Sequence, residues 1–508
     1  NYQCVAGGVT ICDDDDPCTT DTCNSSNGCQ YESVGDGCTS TTPTWTLFVY
    51  MAADNNLEQA ALTDLLEMME IPDSDQLTIV VQIDRAAGYS DDAIGELDDF
   101  EGTKRLTVQK DQITQIQDLG ETNTGDGTAL KNFIEWGLNN YASDRNMLVL
   151  WNHGNAWLGY GGDNSAAHDR LTLSEIKTAI SGGLTSAGVS KFELMGFDAC
   201  LMANLATIRA LSEYTDYMLV SEDFEPGNGW DYEIFEFIVD HPSLPTESLG
   251  RSILEGFRKQ SKKKKKHLSI TLSLLDTSKL ADVETAFTDF FDSIKTDLAV
   301  QQQDTDGQYA SMATVFGRAR HTAQEFGRSP ILDKHYHMVD VGDLAKQVVK
   351  HAPSYGTKKD TLLNAINAMV LDHEKGKLTL DSRGLSIYFP SYEAYYKSEF
   401  DDSPGMSDWR TLLTAYYNEA DNQTDVPLFQ KIEVNGDGDE KDISQSCGND
   451  ICNANGGETP DNCPDDCNVD NPVFDEYPCI EPNVSHACVG DYIVHCDLGI
   501  TTPSWCGS

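Results

Sequence analysis

The sequence has few basic residues and no long hydrophobic run. Its 508 residues include 35 lysines and arginines against 83 aspartates and glutamates, which gives a formal charge of −48 at pH 7. Binding a polyanion needs a basic surface that releases counterions, so the composition predicts no nucleic-acid partner. No apolar run reaches the roughly 18 residues that a membrane-spanning helix requires, so no membrane span is predicted.

Two catalytic signatures are also missing. The sequence has no G-x-S-x-G segment, which disfavours a serine hydrolase with a nucleophile elbow, and no H-E-x-x-H segment, which disfavours a zinc peptidase. Hydrophobic residues nevertheless make up 39% of the chain, enough for at least one large core. The sequence therefore indicates a globular protein whose chemistry, if any, uses other residues.

Cysteine is scarce in the middle of the chain and dense at both ends. Between Cys38 and Cys447 the sole cysteine is Cys200. Small cysteine-dense segments cannot build a core and usually depend on disulfides, which persist in oxidising compartments, so we expect a secreted protein. Zinc is the alternative, but irregular spacing and the lack of paired C-x-x-C knuckles disfavour it. The three clusters are Cys4, Cys12, Cys18, Cys23, Cys29 and Cys38; Cys447, Cys452, Cys463 and Cys467; and Cys479, Cys488, Cys496 and Cys506.

These clusters divide the chain into a Cys-rich module at 1–41, a main domain at 42–425, an acidic Cys-rich module at 426–470 and a C-terminal Cys-rich module at 471–508. In the main domain apolar runs alternate with segments of helical period, the first of which opens with Asn55 and Glu58 in capping-box spacing. This alternation predicts an α/β fold with a mostly parallel sheet covered on both faces. The strand-like runs are Trp45–Met51, Leu77–Ile83, Met147–Trp151, Phe192–Phe197, Tyr217–Val220, Leu268–Leu275 and Leu385–Phe389.

Two of these runs end in residues with nucleophile or base chemistry. His153 follows one strand and Cys200 follows another, at the carboxyl ends where parallel sheets bind their ligands. If the strands are neighbours they lie about 4.8 Å apart, which lets imidazole and thiol meet. Histidine activates a thiol by taking its proton or by standing beside the thiolate as imidazolium. The pattern predicts a Cys200/His153 dyad.

Residues next to the dyad supply further candidates. Gly154 lets a backbone N–H approach a substrate closely, and the Cys200 amide could be a second donor to a developing oxyanion. Asp198 shares a face with Cys200 on an extended segment, so its carboxylate could bind a cationic substrate group. Asp198 could equally cap a helix that begins near Leu201. The residues alone leave both interpretations open.

Four segments in this order closely resemble the clostripain-like cysteine peptidases: Trp45–Glu58, Asn152–Gly154, Phe197–Asn204 and Ser221–Tyr232. The resemblance covers about 45–400. It implies a caspase-like α/β/α sandwich, a His153/Cys200 dyad, and Asp198 at the base of a pocket for Arg or Lys. The small disulfide-rich modules expected from the cysteine distribution would flank this sandwich. It also implies self-cleavage, and calcium dependence in some members. No cofactor is required for the chemistry, and no metal ligands are identified.

Self-cleavage after a basic residue between His153 and Cys200 would have to use Arg170, Lys177 or Lys191. Arg170 follows a polar stretch and is the most loop-like of the three, whereas the others lie in a helix and at a strand entry. The run from Lys262 to Lys266, expected as an exposed loop, is an alternative outside the usual interval. In the segment Ser221–Tyr232 we expect pocket residues, with Glu222, Asp223 and Trp230 as candidates.

We therefore expect a secreted endopeptidase that acts on proteins and peptides, cleaves after Arg or, less certainly, Lys, and forms a thioester acyl-enzyme. The alternative is a catalytically silent, exported binding or adhesion protein on the same scaffold. Asn435, Asp437 and Asp439 resemble the start of a calcium loop, but Glu440 replaces the expected glycine, so an EF-hand is not predicted.

Overall fold

The computed structural model describes residues 45–329 and 334–422, together with the backbone of five short strands near the ends. These strands are Thr19–Asn24, Gly28–Ser33, Ala487–Val489, Tyr492–Asp497 and Ile500–Trp505. The cysteine side chains of the Cys-rich modules, and with them the predicted disulfides, lie outside what the structure describes, as does the acidic segment 435–439. In the described part no helix is both long and apolar enough to cross a membrane.

A nine-stranded sheet organises the main domain. Its strand order is β9-β8-β7-β6-β5-β1-β2-β3-β4. Seven of these strands are parallel to one another, and β3 and β8 are antiparallel to them. The strands are β1 (Trp45–Ala53), β2 (Leu77–Arg85), β3 (Gly102–Gln109), β4 (Gln112–Gly120), β5 (Arg145–Trp151), β6 (Phe192–Asp198), β7 (Thr215–Val220), β8 (Thr271–Asp276) and β9 (Val370–Lys375).

Helices cover both faces of this sheet, as the sequence predicts. Along β1, Phe48 and Tyr50 point into one hydrophobic core, and Leu47 and Val49 point into the other. Helices α1, α5 and α6 pack into the second core and the remaining eight into the first. The helices are α1 (Glu58–Met68), α2 (Gly127–Tyr141), α3 (Leu173–Ala187), α4 (Leu205–Leu211), α5 (Glu236–Asp240), α6 (Thr246–Lys263), α7 (Leu280–Asp297), α8 (Met312–Thr322), α9 (Val341–His351), α10 (Gly356–Met369) and α11 (Ser407–Asn422).

Smaller sheets lie outside the main one. The predicted strand Leu385–Phe389 is Ser386–Tyr388, and it joins Glu325–Phe326 and Met338–Asp340 in an antiparallel sheet. Two hairpins complete the strands of the main domain: Tyr160–Asp163 with Asp169–Leu171, and Gln301–Gln303 with Tyr309–Ser311.

Two local predictions are wrong. The lysine run is not wholly a loop, because α6 continues through Lys263 before a turn at Lys265, whose φ is +59°. The capping box at Asn55 and Glu58 does not form: α1 begins at Glu58, whose buried carboxylate instead pairs with the Arg85 guanidinium at 2.6 Å.

Candidate active site

Adjacent strands bring His153 and Cys200 to one edge of the sheet. Strands β5 and β6 are parallel neighbours with Trp151 opposite Asp198, so each candidate lies two residues beyond a registered pair. The Asn152 amide donates to the Asp198 carbonyl at 3.3 Å and extends the pairing. Gly154 packs directly on the second strand end, since a Cβ there would lie 1.8 Å from the Cys200 carbonyl oxygen. The two strand ends that carry His153 and Cys200 are therefore in direct backbone contact.

A left-handed backbone turn follows Cys200. Leu201 has a φ of +66°, a conformation that costs a non-glycine residue about 1–2 kcal/mol. Its amide donates to the Asp223 carbonyl at 3.1 Å, and its side chain is fully buried, so the strained turn is held in place. Cys200 is half-buried, and its sulfur accepts a hydrogen bond from the Glu225 amide at 3.2 Å.

An amide side chain orients the histidine. His153 Nε2 lies 2.9 Å from Asn56 Oδ1, and the Asn152 side chain, which also bonds the Ala52 carbonyl, accepts from the His153 amide. An oxygen acceptor at Nε2 favours the tautomer with the proton on that nitrogen and leaves Nδ1 as the basic one. Asn56 therefore fixes the ring from the segment that follows β1.

In this arrangement both members of the predicted dyad, Cys200 and His153, favour their neutral forms. Burial raises the pKa of the Cys200 thiol to about 12, and the carboxyls of Glu225 and Asp223 add to the effect. Burial also lowers the pKa of His153 to about 4. Of the two modes of thiol activation considered above, the resting geometry favours proton transfer to neutral imidazole over a preformed ion pair.

Asp198 belongs to a hydrogen-bonded site and does not cap a helix. Its Oδ2 accepts from the Trp230 amide at 3.2 Å and from the Tyr232 hydroxyl at 3.1 Å. The next helix, α4, starts only at Leu205 and is capped by Asn204. Burial raises the pKa of Asp198 to about 6, and hydrogen bonds from the Glu225 carboxyl, the Trp230 amide and the Tyr232 hydroxyl lower it in part.

Three more carboxyls surround Asp198. Burial raises the pKa of Glu67 to about 7 and that of Asp64 and Glu225 well above their ordinary values, with the Asp198 charge adding to each. The Glu225 carboxyl lies within hydrogen-bonding reach of both Asp198 and the Trp230 side chain. Among the described residues no lysine, arginine or histidine forms an ion pair with any of these four, which we call the carboxyl cluster: Asp64, Glu67, Asp198 and Glu225. The cluster is a buried negative site that a cation would complement.

The three predicted pocket residues have different surroundings. The Trp230 indole lies against β6, where a Cβ on Gly196 would be 2.4 Å from the ring. The Asp223 carboxylate accepts from the Gly327 amide at 3.0 Å. The Glu222 carboxylate faces away from the cluster, because it accepts from the Gly384 amide at 2.8 Å and from the Ser382 hydroxyl.

The basic residues proposed for self-cleavage also differ. Arg170 is exposed on the hairpin strand Asp169–Leu171, directly after a five-residue turn. Lys177 lies in α3 and pairs with Glu213 at 2.9 Å, and Lys191 precedes β6 and pairs with Asp216. Lys262 is exposed in the last turn of α6, and Lys266 follows it, half-buried.

Sequence reasoning missed several residues of the site. Asn56 is part of the Trp45–Glu58 segment but carries no signal for contact with a histidine 97 positions away. Asp64 and Glu67 stand three residues apart on α1, a spacing typical of any helix face, and Glu225 lies in a loop. Of these residues only Glu225 carried a signal in the sequence, because it lies in the segment Ser221–Tyr232 where pocket residues were expected.

Comparison with known proteins identifies the family of this chain. The sequence pattern of the clostripain family matches residues 49–427. Clostripain from Hathewaya histolytica is 24% identical over an alignment 464 positions long, in which 79% of this chain and 84% of that protein are covered. A secreted C11 cysteine protease from Bacteroides thetaiotaomicron, solved with an irreversible peptide inhibitor, is 20% identical, with a TM-score of 0.51 over 73% of this chain and 98% of that one. An inactive zymogen C11 protease from Parabacteroides distasonis is 19% identical, with a TM-score of 0.50 over 74% and 97%.

Proposed function

The chain belongs to the clostripain family of cysteine endopeptidases, and from this premise we propose that it cleaves after Arg or Lys, with Cys200 as nucleophile, His153 as base and Asp198 as anchor for the substrate's cation. The observation that carries the specificity is the carboxyl cluster. The Asp198 charge raises the pKa of each of the other three carboxyls, none of which has a basic partner among the described residues, and a guanidinium or ammonium group relieves that repulsion. A neutral substrate side chain gives no such relief.

The chemistry follows from a neutral dyad. His153 removes the thiol proton as Cys200 attacks the scissile carbonyl, which forms a tetrahedral oxyanion. The Gly154 and Cys200 amides are proposed as its donors, and neither donates to another backbone carbonyl among the described residues. Imidazolium then protonates the leaving amine, which leaves a thioester on Cys200. Water, deprotonated by His153, hydrolyses the thioester and restores the thiol.

Substrate charge can assist this proton transfer. The Glu225 carboxyl raises the pKa of the Cys200 thiol. The pKa of the Glu225 carboxyl is in turn raised by the Asp198 charge. A cation bound at the cluster offsets that negative field and so lowers the pKa of the thiol towards that of the imidazole. Under this proposal the substrate that fits the pocket also activates the nucleophile.

A labelling experiment tests the function. We expect iodoacetamide to modify Cys200, located by peptide mapping, and to abolish hydrolysis of an Arg-ended fluorogenic peptide in the same proportion. Because the thiol pKa is about 12 and that of His153 about 4, the labelling rate should keep rising from pH 6 to 9 without a plateau. Hydrolysis that persists after complete labelling, or no hydrolysis in the presence of calcium, would favour the silent binding protein.

Self-processing is proposed at Arg170. Burial raises the pKa of Tyr336 to about 12; the Cys200 thiol raises it further and the Arg170 guanidinium lowers it, so both groups lie within electrostatic reach of one hydroxyl. Arg170 is thus exposed, and its charge reaches the same hydroxyl as that of Cys200. We expect wild-type protein to be cut after Arg170 and the Arg170→Ala variant to stay intact, as measured by intact-mass spectrometry. Lys177→Ala is the matched control and should be cut like wild type; a cut after Lys262 or Lys266 in both variants would contradict the assignment.

Export and calcium dependence complete the proposal. The cysteine distribution supports an oxidising compartment, and the relative from Bacteroides thetaiotaomicron is described as secreted. Nothing in the proposed reaction steps requires a metal ion, so a calcium requirement would have to act through structure.

A further inference from the structure

We propose that Asp54, Asp84, Glu121 and Asp163 form a calcium site beside the dyad. The inference deepens the proposed calcium dependence and rests on it for the effect on activity. Each residue offers one carboxylate oxygen, and these oxygens all lie within 4.8 Å of one another. The four come from the ends of β1, β2 and β4 and from the hairpin strand Tyr160–Asp163, so the site ties together segments distant in sequence.

Asp54 is the observation that points to a ligand. Its side chain is fully buried, and neither carboxylate oxygen has a hydrogen-bond partner. A buried carboxylate without a donor or a counter-charge is strongly disfavoured. Among the described residues no basic side chain forms an ion pair with any of the four. A cation would satisfy Asp54 and remove the mutual repulsion.

The remaining ligands are oriented by their own donors. One oxygen of Asp84 accepts from the Thr103 hydroxyl at 2.7 Å, and Asp163 accepts from the amides of Ala166 and Thr124, each at 2.8 Å. Such outer contacts fix the geometry of metal-binding carboxylates. Glu121 is exposed and would close the site from the solvent side.

The donor set fits calcium. All four ligands are oxygens, as calcium and magnesium prefer, and four carboxylates suit tight binding. Two ligands on opposite sides of a calcium ion are about 4.6–5.2 Å apart, since calcium–oxygen distances are about 2.3–2.6 Å. A spacing within 4.8 Å matches that span. Waters would complete the six to eight ligands that calcium takes.

The site connects to the dyad through a short segment. Asn56, which contacts His153, follows Asp54 by two residues. The Asn55 side chain donates to the Gly162 carbonyl at 2.7 Å, and the Asn164 amide donates to the Asp54 carbonyl at 2.9 Å. A bound ion would therefore hold Asn56 against the catalytic imidazole and anchor the hairpin that carries Arg170.

Binding is tested without relying on activity. In the full-length Cys200→Ala protein, freed of metal with a chelator, we expect calorimetry to show calcium binding and the unfolding temperature to rise with calcium. In that background Asp54→Asn should weaken binding by about 100-fold or more, and the exposed Glu121→Gln by about tenfold. Because Asp54 has no hydrogen bond to lose, Asp54→Asn in chelator should unfold at the same temperature or higher.

Two controls make the result decisive. Asp91→Asn, an exposed carboxylate outside the site, and the double variant Asp437→Asn/Asp439→Asn should keep the calcium-dependent rise. Unchanged binding in both Asp54→Asn and Glu121→Gln, or loss of binding only in the 437/439 variant, would overturn the site. Normal calcium binding by an enzyme that cleaves nothing would instead leave the site standing and contradict the proposed function.

Discussion

The Cys200→Ala variant will hydrolyse an Arg-ended peptide about 10⁶-fold more slowly than wild type, judged by kcat, and its chain will remain uncut. The thiol supplies the only covalent step of the proposed reaction, so residual turnover would come from binding and oxyanion donors alone. The measurement is a fluorogenic assay with intact-mass analysis of the same preparations, in calcium.

His153 gives the matched comparison. His153→Ala should lose nearly as much activity, and the double variant no more than either alone, because the two residues act as a unit. Both proteins should unfold near the wild-type temperature, which separates chemistry from folding. A Cys200→Ala protein with hydrolysis within about tenfold of wild type would move the nucleophile to another residue.

The fold and the adjacency of the two strand ends that carry His153 and Cys200 could be predicted because both follow from short-range patterns. Strand β1 buries both faces, and its residues alternate between two cores, so its apolar run is nearly continuous. The carboxyl ends of the seven parallel strands then lie on one edge of the sheet, which is where His153 and Cys200 lie. An isolated cysteine and a histidine after two such strands were enough to suggest a pair.

The carboxyl cluster could not be predicted because its members are joined only by the tertiary fold. Asp64 and Glu67 are on a helix of the second core, more than a hundred positions before Asp198 and Glu225. Local rules were also overridden at the start of that helix. Asn55 and Glu58 have ideal capping spacing, but Asn55 donates to Gly162 across the hairpin and Glu58 neutralises the fully buried Arg85.

The two interpretations of Asp198 show where sequence reasoning ends. Asp is a good helix cap, and nothing local reveals that α4 begins four residues after Leu201. The Tyr232 hydroxyl, 34 positions away, decides the matter by donating to this carboxylate. The proposed role of Asp198 in binding a substrate cation then depends on the charge of its carboxyl group in the enzyme–substrate complex.

Asp198→Asn will lower kcat/KM for an Arg-ended peptide by about 10³-fold and barely affect the matching citrulline-ended peptide. Citrulline has nearly the shape of arginine without the charge, so the pair isolates the ion pair. Breaking one partner of a buried charge pair costs roughly 2–5 kcal/mol, and about 1.4 kcal/mol corresponds to tenfold in rate. We expect wild type to prefer Arg strongly and the variant to discriminate little.

The thermal stability of the Asp198→Asn variant provides a control for its predicted loss of kcat/KM. The pKa of Asp198 is raised by burial to about 6, above its unfolded value, so the ionised carboxylate destabilises the fold at neutral pH and stability rises as pH falls through that value. Asp198→Asn should therefore unfold at the wild-type temperature or higher at pH 7. Asp223→Asn, whose carboxylate binds the Gly327 amide outside the carboxyl cluster, should keep the wild-type Arg-to-citrulline ratio. Equal losses on both peptides in Asp198→Asn would mean that the residue shapes the pocket without binding the cation.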